Sequence, residues 1–462
     1  MQDNSTLLKE NDANRNISIK NILIITYPLI LSMFSLNIMM FIDRAFVARY
    51  DLTQFAALVP ASNLAVTTAS IFTGMLGFVG TLVAQYYGAK KYAKCSVSMW
   101  QGVYLSGAFS ILLLLVSPLA VHTFSLMGHT GDLLNYEQLF FYFMMVASCA
   151  QLFSVVFSSF FRGISATRVT LYVGLLGNVI NVLLDWGLIF GHWGMPQLGG
   201  ITGSGLATVI SCFVSALIYV LLFMNRRLKD EYKIFQNMKI DGALLRQLLV
   251  LGLPSGMQYF VGMGSFSMLL LIIGKTGEFN LTCANIAFTI EGMSLFSIIG
   301  LATAIGIISG QERGAKRIDN ISRVLYRGLL LGLGVSSFFM ILFNIIPERL
   351  VAIFEGSDGE KFKDVVAYTV PLLRITTIWL TLDSIQIVIG RVLQNVGDTV
   401  FLMYTFIIVP VLFFVLLPYL ICVVWQMSLY WLWLELVGYS LAMVIVMAVR
   451  FSGGKWKKIE VI

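Results

Sequence analysis

A shift of 226 residues lays this chain upon itself. Pro28 falls on Pro254, Gly74 on Gly300, Gly80 on Gly306 and Gly102 on Gly328, with no gap in between. The same shift places Gln85-Tyr-Tyr-Gly88-Ala89-Lys90 on Gln311-Glu-Arg-Gly314-Ala315-Lys316. Further along the offset becomes 232, pairing Thr167 with Thr399 and Tyr172 with Tyr404. A repeat this long is no solenoid unit. It predicts two homologous lobes.

Those lobes belong in a membrane. The chain is 58% hydrophobic and only 12% charged, where soluble domains carry about 25% charged residues. So few charges cannot cover a 462-residue globule, so lipid must do so. Twelve apolar runs are long enough to cross hydrocarbon as helix. They lie near 22–46, 54–82, 97–124, 137–161, 168–191, 203–224, 245–273, 281–309, 322–347, 365–393, 398–423 and 428–450. Strict alternation is missing, which argues against a β-barrel. The expected fold is an all-α membrane protein with twelve transmembrane helices in two six-helix lobes around a central cleft. The expected divisions are a tail at 1–20, a lobe at 21–224, a link at 225–247, a lobe at 248–450 and a basic tail at 451–462.

The polar segment from Met1 to Ile17 lacks an apolar core and a cleavage site, so it reads as a tail and not as a signal peptide. Cys95, Cys149, Cys212, Cys283 and Cys422 are scattered without metal spacing or a disulfide framework.

A net charge of +7 invites a nucleic-acid reading, but the distribution of that charge excludes it. The two tails and the 2–3, 4–5, 6–7, 8–9 and 10–11 links hold 24 of the 31 Lys and Arg residues. By the positive-inside rule both termini are cytoplasmic, in a multi-pass protein of the cytoplasmic (inner) membrane. The basic 6–7 link, with Arg226, Arg227, Lys229, Lys233, Lys239 and Arg246, is expected to hold topology and to touch anionic lipid. Six spans per lobe give both lobes the same orientation. A parallel repeat of this kind allows two bundles to rock about a shared cleft.

Charge inside the spans is costly, at about 2.5–3.5 kcal/mol on insertion scales, and so marks function. Five acids qualify: Asp43, Asp185, Glu291, Asp383 and Glu435. Arg374 is the clearest intramembrane base, so the interior is predominantly acidic and suited to cations. Asn178, Asn181 and Asp185 stand at i, i+3 and i+7 on one helical face. One carboxylate with two amide oxygens suits Na⁺ or a held proton. Spans 1 and 5 both run outward, so Asp43 and Asp185 fall at similar depth. The bland alternatives are that Asp43 pairs with Arg44 or Arg49 and that Asp383 pairs with Arg374. The second is poor, because nine residues of helix separate them by about 13.5 Å. Glu435 is isolated in the last span. Pro28 removes a backbone bond in span 1 and is a candidate hinge.

No catalytic set accompanies these acids. His122, His129 and His192 fall in or near outer loops, and neither a Walker loop nor an H-E-x-x-H motif is present. An enzyme is not expected, nor is a cofactor.

In several segments the chain resembles a multidrug and toxic compound extrusion (MATE) transporter of the bacterial NorM-like kind. They include Phe41-Ile-Asp43-Arg-Ala-Phe-Val47, Phe161-Arg162-Gly163, Asn181-Val-Leu-Leu-Asp185-Trp-Gly-Leu-Ile-Phe-Gly191, Gly252-Leu-Pro254 and Gly397-Asp398-Thr399. The resemblance spans roughly residues 20–450. It implies export of organic cations against entry of Na⁺ or H⁺. Carried over by position, it makes Asp43, Asn181 and Asp185 the amino-lobe cation site and Pro28 the hinge proline. Asp383 and Glu291 become the carboxy-lobe acids. The glutamate that many members carry in span 7 is absent here, where Val261-Gly-Met-Gly264 stands instead.

The resulting expectation is a secondary active multidrug antiporter, working as a monomer on small organic cations among membrane lipids. Asp43, Asn178, Asn181 and Asp185 would couple the ion, with Asp43, Asn181 and Asp185 as Na⁺ ligands. Glu291 and Asp383 would bind substrate. The alternative is a lipid-linked oligosaccharide flippase, whose cavity should be basic. A membrane acyl or glycosyl transferase would need a catalytic cluster at one membrane face.

Overall fold

A computed structural model describes residues 17–126, 129–354 and 359–462. The residues before 17, which hold most of the expected tail, lie outside the described part. Among the described residues, twelve helices are long and apolar enough to span a bilayer. They are α1 (Ile19–Tyr50), α2 (Thr53–Gly88), α3 (Tyr92–Leu126), α4 (Gly131–Gly163), α5 (Thr167–Phe190) and α6 (Gly200–Phe223) in the first repeat. The second repeat supplies α7 (Gly242–Gly274), α8 (Glu278–Gly314), α9 (Ile318–Ile345), α10 (Phe362–Val396), α11 (Thr399–Val424) and α12 (Leu429–Ser452). No strand occurs among the described residues. With no water in hydrocarbon to satisfy backbone groups, helices satisfy them internally.

The repeat is written into the backbone as well as the sequence. Lys90 and Lys316, 226 residues apart, both sit in the left-handed region, at φ 58° and 59°. In each loop the next residue closes a six-residue cap, Lys91 N–H to Tyr86 O and Arg317 N–H to Glu312 O, both at 2.9 Å. This is a Schellman-type helix stop. At the second offset, Ser165 (φ 62°) matches Gly397 (φ 103°). Close helix crossings repeat too. A Cβ on Gly102 would meet Val79 at 2.8 Å, and one on Gly328 would meet Ile305 at 2.9 Å. Val79 and Ile305 are themselves 226 apart.

The packing units differ from the expected divisions at 224 and 248. One compact unit is Leu31–Phe260; the other is the chain up to Ile30 together with Val261–Val461. The first turns of α1 therefore pack with helices of the second repeat, and the first turns of α7 with helices of the first. Two crossings illustrate the exchange. A Cβ on Gly74 of α2 would lie 2.7 Å from Ser255 O and 2.8 Å from Gly256 Cα of α7. A Cβ on Gly300 of α8 would lie 3.0 Å from Ile30 Cγ1 of α1. Gly74 and Gly300 are repeat mates, and so are Ile30 and Gly256.

Each unit has its own core. In Leu31–Phe260 it gathers Val47, Leu58, Phe124, Phe140, Phe141 and Met145. In the other unit it gathers residues of α1, α8, α10 and α12 with Trp456 of the C-terminal tail. Arg313 donates to the carbonyls of Lys457 and Ile459, and Arg450 forks onto Asp398 at 2.7 and 2.9 Å. The basic tail is thus pinned to its own unit.

Candidate functional site

Within the unit Leu31–Phe260, three helices converge on one buried polar site. Asp51 caps α2 by accepting from Gln54 N–H at 2.8 Å. Gln54 Oε1 in turn accepts from Ile201 N–H, also at 2.8 Å. This second bond satisfies one of the orphan donors at the start of α6 and fixes α6 against the start of α2. One turn into α6, Ser204 donates to Asp43 Oδ1 at 2.5 Å. Small residues bring α5 alongside: a Cβ on Gly203 of α6 would lie 2.9 Å from Ile189 N. Thr208 of α6 then meets Asn181 Nδ2 at 3.4 Å, and Asn178 donates to Ser35 of α1 at 2.8 Å.

Asp185 stands at the centre of this arrangement. It is fully buried and lies within electrostatic range of Asp43. Both its carboxylate oxygens, and Asn181 Oδ1 one turn earlier, are buried without a donor among the described residues. Asp43 forms no ion pair with Arg44 or Arg49 among those residues; its carboxylate turns inward to Ser204. Burying an uncompensated carboxylate costs several kcal/mol, roughly, even after relaxation. The three oxygens therefore call for a proton or a hard cation, and their all-oxygen chemistry fits either. No group of three or more His, Cys, Asp or Glu side chains gathers among the described residues, so a transition-metal centre has no ligand set here.

Of the four residues assigned to ion coupling, Asp43 and Asp185 lie within electrostatic range of each other and Asn181 is one turn from Asp185, while the Asn178 amide is bonded to Ser35. Sequence reasoning missed Ser204 and Thr208. Both lie on one face of α6 at i and i+4, a spacing that marks them once α6 is known to face α5.

The other unit holds a second acidic site, of different character. Glu291 on α8 accepts from Trp379 Nε1 of α10 at 2.8 Å. One turn beyond Trp379, Asp383 Oδ1 accepts from Ser440 Oγ of α12 at 2.7 Å and from Gln386 Nε2 at 3.3 Å. The two acids interact electrostatically and both are buried. Aromatic rings surround them. Trp433 stacks on Phe288 with centroids 5.0 Å apart and lies 5.9 Å from Trp379. Asp383 forms no ion pair with Arg374, which is exposed. Glu435 has both carboxylate oxygens buried and without a donor among the described residues. Trp379, Trp433 and Ser440 were missed. Ser440 is the repeat mate of Thr208 at the offset of 232, so each lobe puts a hydroxyl from its last helix into its acidic site.

Pro28 lies within an unbroken α1. It stands two residues before the point where that helix passes from one compact unit to the other.

Twelve spanning helices in a doubled six-helix plan, with acids buried in each repeat, fit a membrane transporter. The MatE family model matches residues 28–186 and 254–420, one match in each repeat. The chain belongs to that family. It is 26% identical over 374 residues to the multidrug resistance protein NorM of Aliivibrio fischeri, covering 80% of each chain. It is 25% identical over 345 residues to the probable multidrug resistance protein NorM of Bacillus subtilis, covering 74% of this chain and 76% of that one. Its fold superposes on an outward-facing multidrug resistance MATE transporter of the MOP superfamily with a TM-score of 0.86. That match has 17% identity and covers 96% of this chain and 98% of the other. The eukaryotic MATE transporter AtDTX14 follows at a TM-score of 0.81, with 17% identity and coverage of 95% and 96%.

Proposed function

We propose that this protein exports organic cations, multiple drugs among them, by antiport with Na⁺ or H⁺. The observation that carries the reading is the set of donorless buried oxygens on Asp185 and Asn181 beside Asp43. In this scheme Asp43, Asn178, Asn181 and Asp185 take the coupling ion, with Ser204 and Thr208 as helpers. Glu291 and Asp383, inside their aromatic surround, compensate the charge of the substrate. Na⁺ would be held by Asp43, Asn181 and Asp185; no other cofactor enters the scheme. The relatives' names as multidrug resistance proteins support the substrate class.

A ligand can shift a conformational equilibrium only by its differential affinity for the two states. Ion and drug must therefore favour opposite states of a rocking pair of repeats. Pro28, next to the boundary between packing units, is the proposed hinge. The Lys and Arg distribution supports cytoplasmic termini in the inner membrane. The protein is taken to work as a monomer among membrane lipids, with no nucleic-acid partner. The flippase reading asks for basic residues at the buried sites, and the buried residues here are acids.

The test is efflux of a fluorescent monovalent cation from proteoliposomes under a Na⁺ gradient or a pH gradient, each imposed alone. One gradient should drive concentrative transport. Concentrative transport under neither would refute ion coupling.

A further inference from the structure

Between α6 and α7 the chain forms a short helix, Arg226–Tyr232, and a 3-10 turn, Ile234–Asn237. A tether between two lobes has no need of fixed contacts, yet this one is bonded along the start of α3. Ser96 Oγ donates to Tyr232 O at 2.8 Å, and Trp100 Nε1 to Ile234 O at 3.0 Å. Asn237 Nδ2 reaches Ser96 Oγ at 2.9 Å and Ala93 O at 3.2 Å. Gln101 Nε2 donates to Lys239 O at 3.1 Å, and Gln101 Oε1 accepts from Asp241 N–H at 3.2 Å. The Tyr104 hydroxyl bonds the Met238 carbonyl. Asp241 then caps α7 and pairs with Lys94 at 3.2 Å. The backbone N–H of Leu244, and then Lys94, hold its carboxyl below the usual carboxylate range.

This pinning fixes the depth of the segment. α3 has 35 residues, about 52 Å of helix against roughly 30 Å of hydrocarbon, so its first turns stand in the headgroup layer. The helix exceeds the hydrocarbon by about 22 Å; with that excess shared between its two ends, the contacts from Ala93 to Tyr104, about 16 Å along α3, pass the hydrocarbon edge. Tyr232 and Ile234 face α3 and are buried. On the outer side Phe235, Met238 and Ile240 are left 41%, 40% and 69% exposed. Lysines stand among them: Lys229, Lys233 and Lys239 are exposed, and the Lys229 ammonium lies 5.0 Å from the centre of the Phe235 ring. Residues 225–247 hold six basic and three acidic side chains, and Asp241 is already engaged. Apolar side chains interleaved with unpaired cations match a bilayer surface: hydrocarbon below, anionic headgroups above.

We infer that the 226–241 link is an interfacial anchor. Phe235, Met238 and Ile240 enter the acyl boundary, and Lys229, Lys233 and Lys239 bind the phosphates of anionic phospholipid. The inference needs only that α3 spans the membrane; it is independent of the coupling ion and of the drug.

The test uses the full chain with its five cysteines replaced, carrying a nitroxide at position 238, 240 or 236. The chain is reconstituted in vesicles of phosphatidylcholine, with or without phosphatidylglycerol. Labels at 238 and 240 should be relaxed by oxygen in preference to a water-soluble nickel chelate, and more so with phosphatidylglycerol. The label at Gln236 should prefer the chelate. Independently, the triple variant K229Q/K233Q/K239Q should retain several-fold less phosphatidylglycerol in native mass spectra, since each cation contributes measurably near an anionic surface. Its phosphatidylcholine retention and thermal unfolding should be unchanged, because these three ammonium groups make no bond to α3. Chelate-preferring labels at 238 and 240 in both vesicles would overturn the inference and mark an aqueous loop or the face of a soluble partner. Equal phosphatidylglycerol retention by the variant and the parent would overturn the headgroup assignment.

Discussion

Ser204 on α6 donates to Asp43 on α1 over 2.5 Å, and that bond holds the Asp43 carboxylate within electrostatic range of Asp185. The hydroxyl is buried, charge-assisted and specific to one carboxylate oxygen. Hydrogen bonds to charged groups contribute about 1.5–3 kcal/mol. Ser204→Ala should therefore weaken binding of the coupling ion by about tenfold or more, with little change in fold. Titrating cation protection against thermal unfolding would check this. Unchanged affinity would mean that Asp43 is positioned by something else.

Asp43→Asn and Asp185→Asn each remove an ion-binding charge at nearly constant volume. Both should abolish gradient-driven efflux while leaving facilitated exchange of substrate. Asn181→Ala removes only a neutral ligand and should leave partial coupling. Flux measured with and without the gradient separates these outcomes. Full concentrative transport by both Asp variants would place the coupling site elsewhere.

In the second acidic site, Asp383 keeps Ser440 and Gln386 as donors but no cation among the described residues. Asp383→Asn should weaken binding of monovalent organic cations more than that of neutral analogues, by roughly tenfold for an exchange of one charged hydrogen-bonded acceptor. Glu291→Gln should act in the same direction and less strongly, since Trp379 can still donate to the amide oxygen. Equal losses for charged and neutral ligands would assign both acids to structure or to ion coupling.

The repeat-related crossings make a stability prediction. Gly74→Ala puts a Cβ at 2.7 Å from the Ser255 backbone oxygen, and backbone cannot swing aside. The cost should be about 1–3 kcal/mol, as for overpacked cores. Gly334→Ala, with nothing within 4 Å, should be neutral or stabilising, because alanine is the better helix former by about 1 kcal/mol. Thermal unfolding of the two variants checks this. Equal stability would deny the close α2–α7 approach.

Much of this was legible in the chain. Uncompensated acids in apolar runs stood out because lipid penalises them, and parallel outward spans put Asp43 and Asp185 at one depth. Asn178, Asn181 and Asp185 followed from helical periodicity alone. What the sequence hid was carried by ordinary residues. Ser204, Thr208 and Ser440 resemble the many serines and threonines that bond back to their own helix, as Ser211 does to Thr208 O. The exchange of the first turns of α1 and α7 was hidden because hydropathy gives the ends of a span and not the neighbour it packs against. The pinned link was hidden because α3 holds it largely through its backbone, at carbonyls such as Tyr232 O and Ile234 O, which no side-chain pattern announces.

Pro28 and the boundary beside it lead to a kinetic prediction. Pro28→Ala restores the backbone donor and stiffens α1 where it passes between packing units. Turnover should slow while affinity for the coupling ion stays unchanged, which single-turnover efflux and equilibrium ion binding would separate. Loss of ion affinity with normal turnover would make Pro28 a static packing feature.

The most direct measurement of the central claim is cation release on drug binding. Purified protein would be loaded with radioactive Na⁺, or held weakly buffered with a pH indicator, and then given a saturating fluorescent organic cation. Linkage requires that a drug favouring one state expel an ion favouring the other. The wild-type protein should release Na⁺ or protons as the drug binds, and the Asp185→Asn protein should bind the drug and release neither. Release from Asp185→Asn equal to that from the wild type would contradict the account.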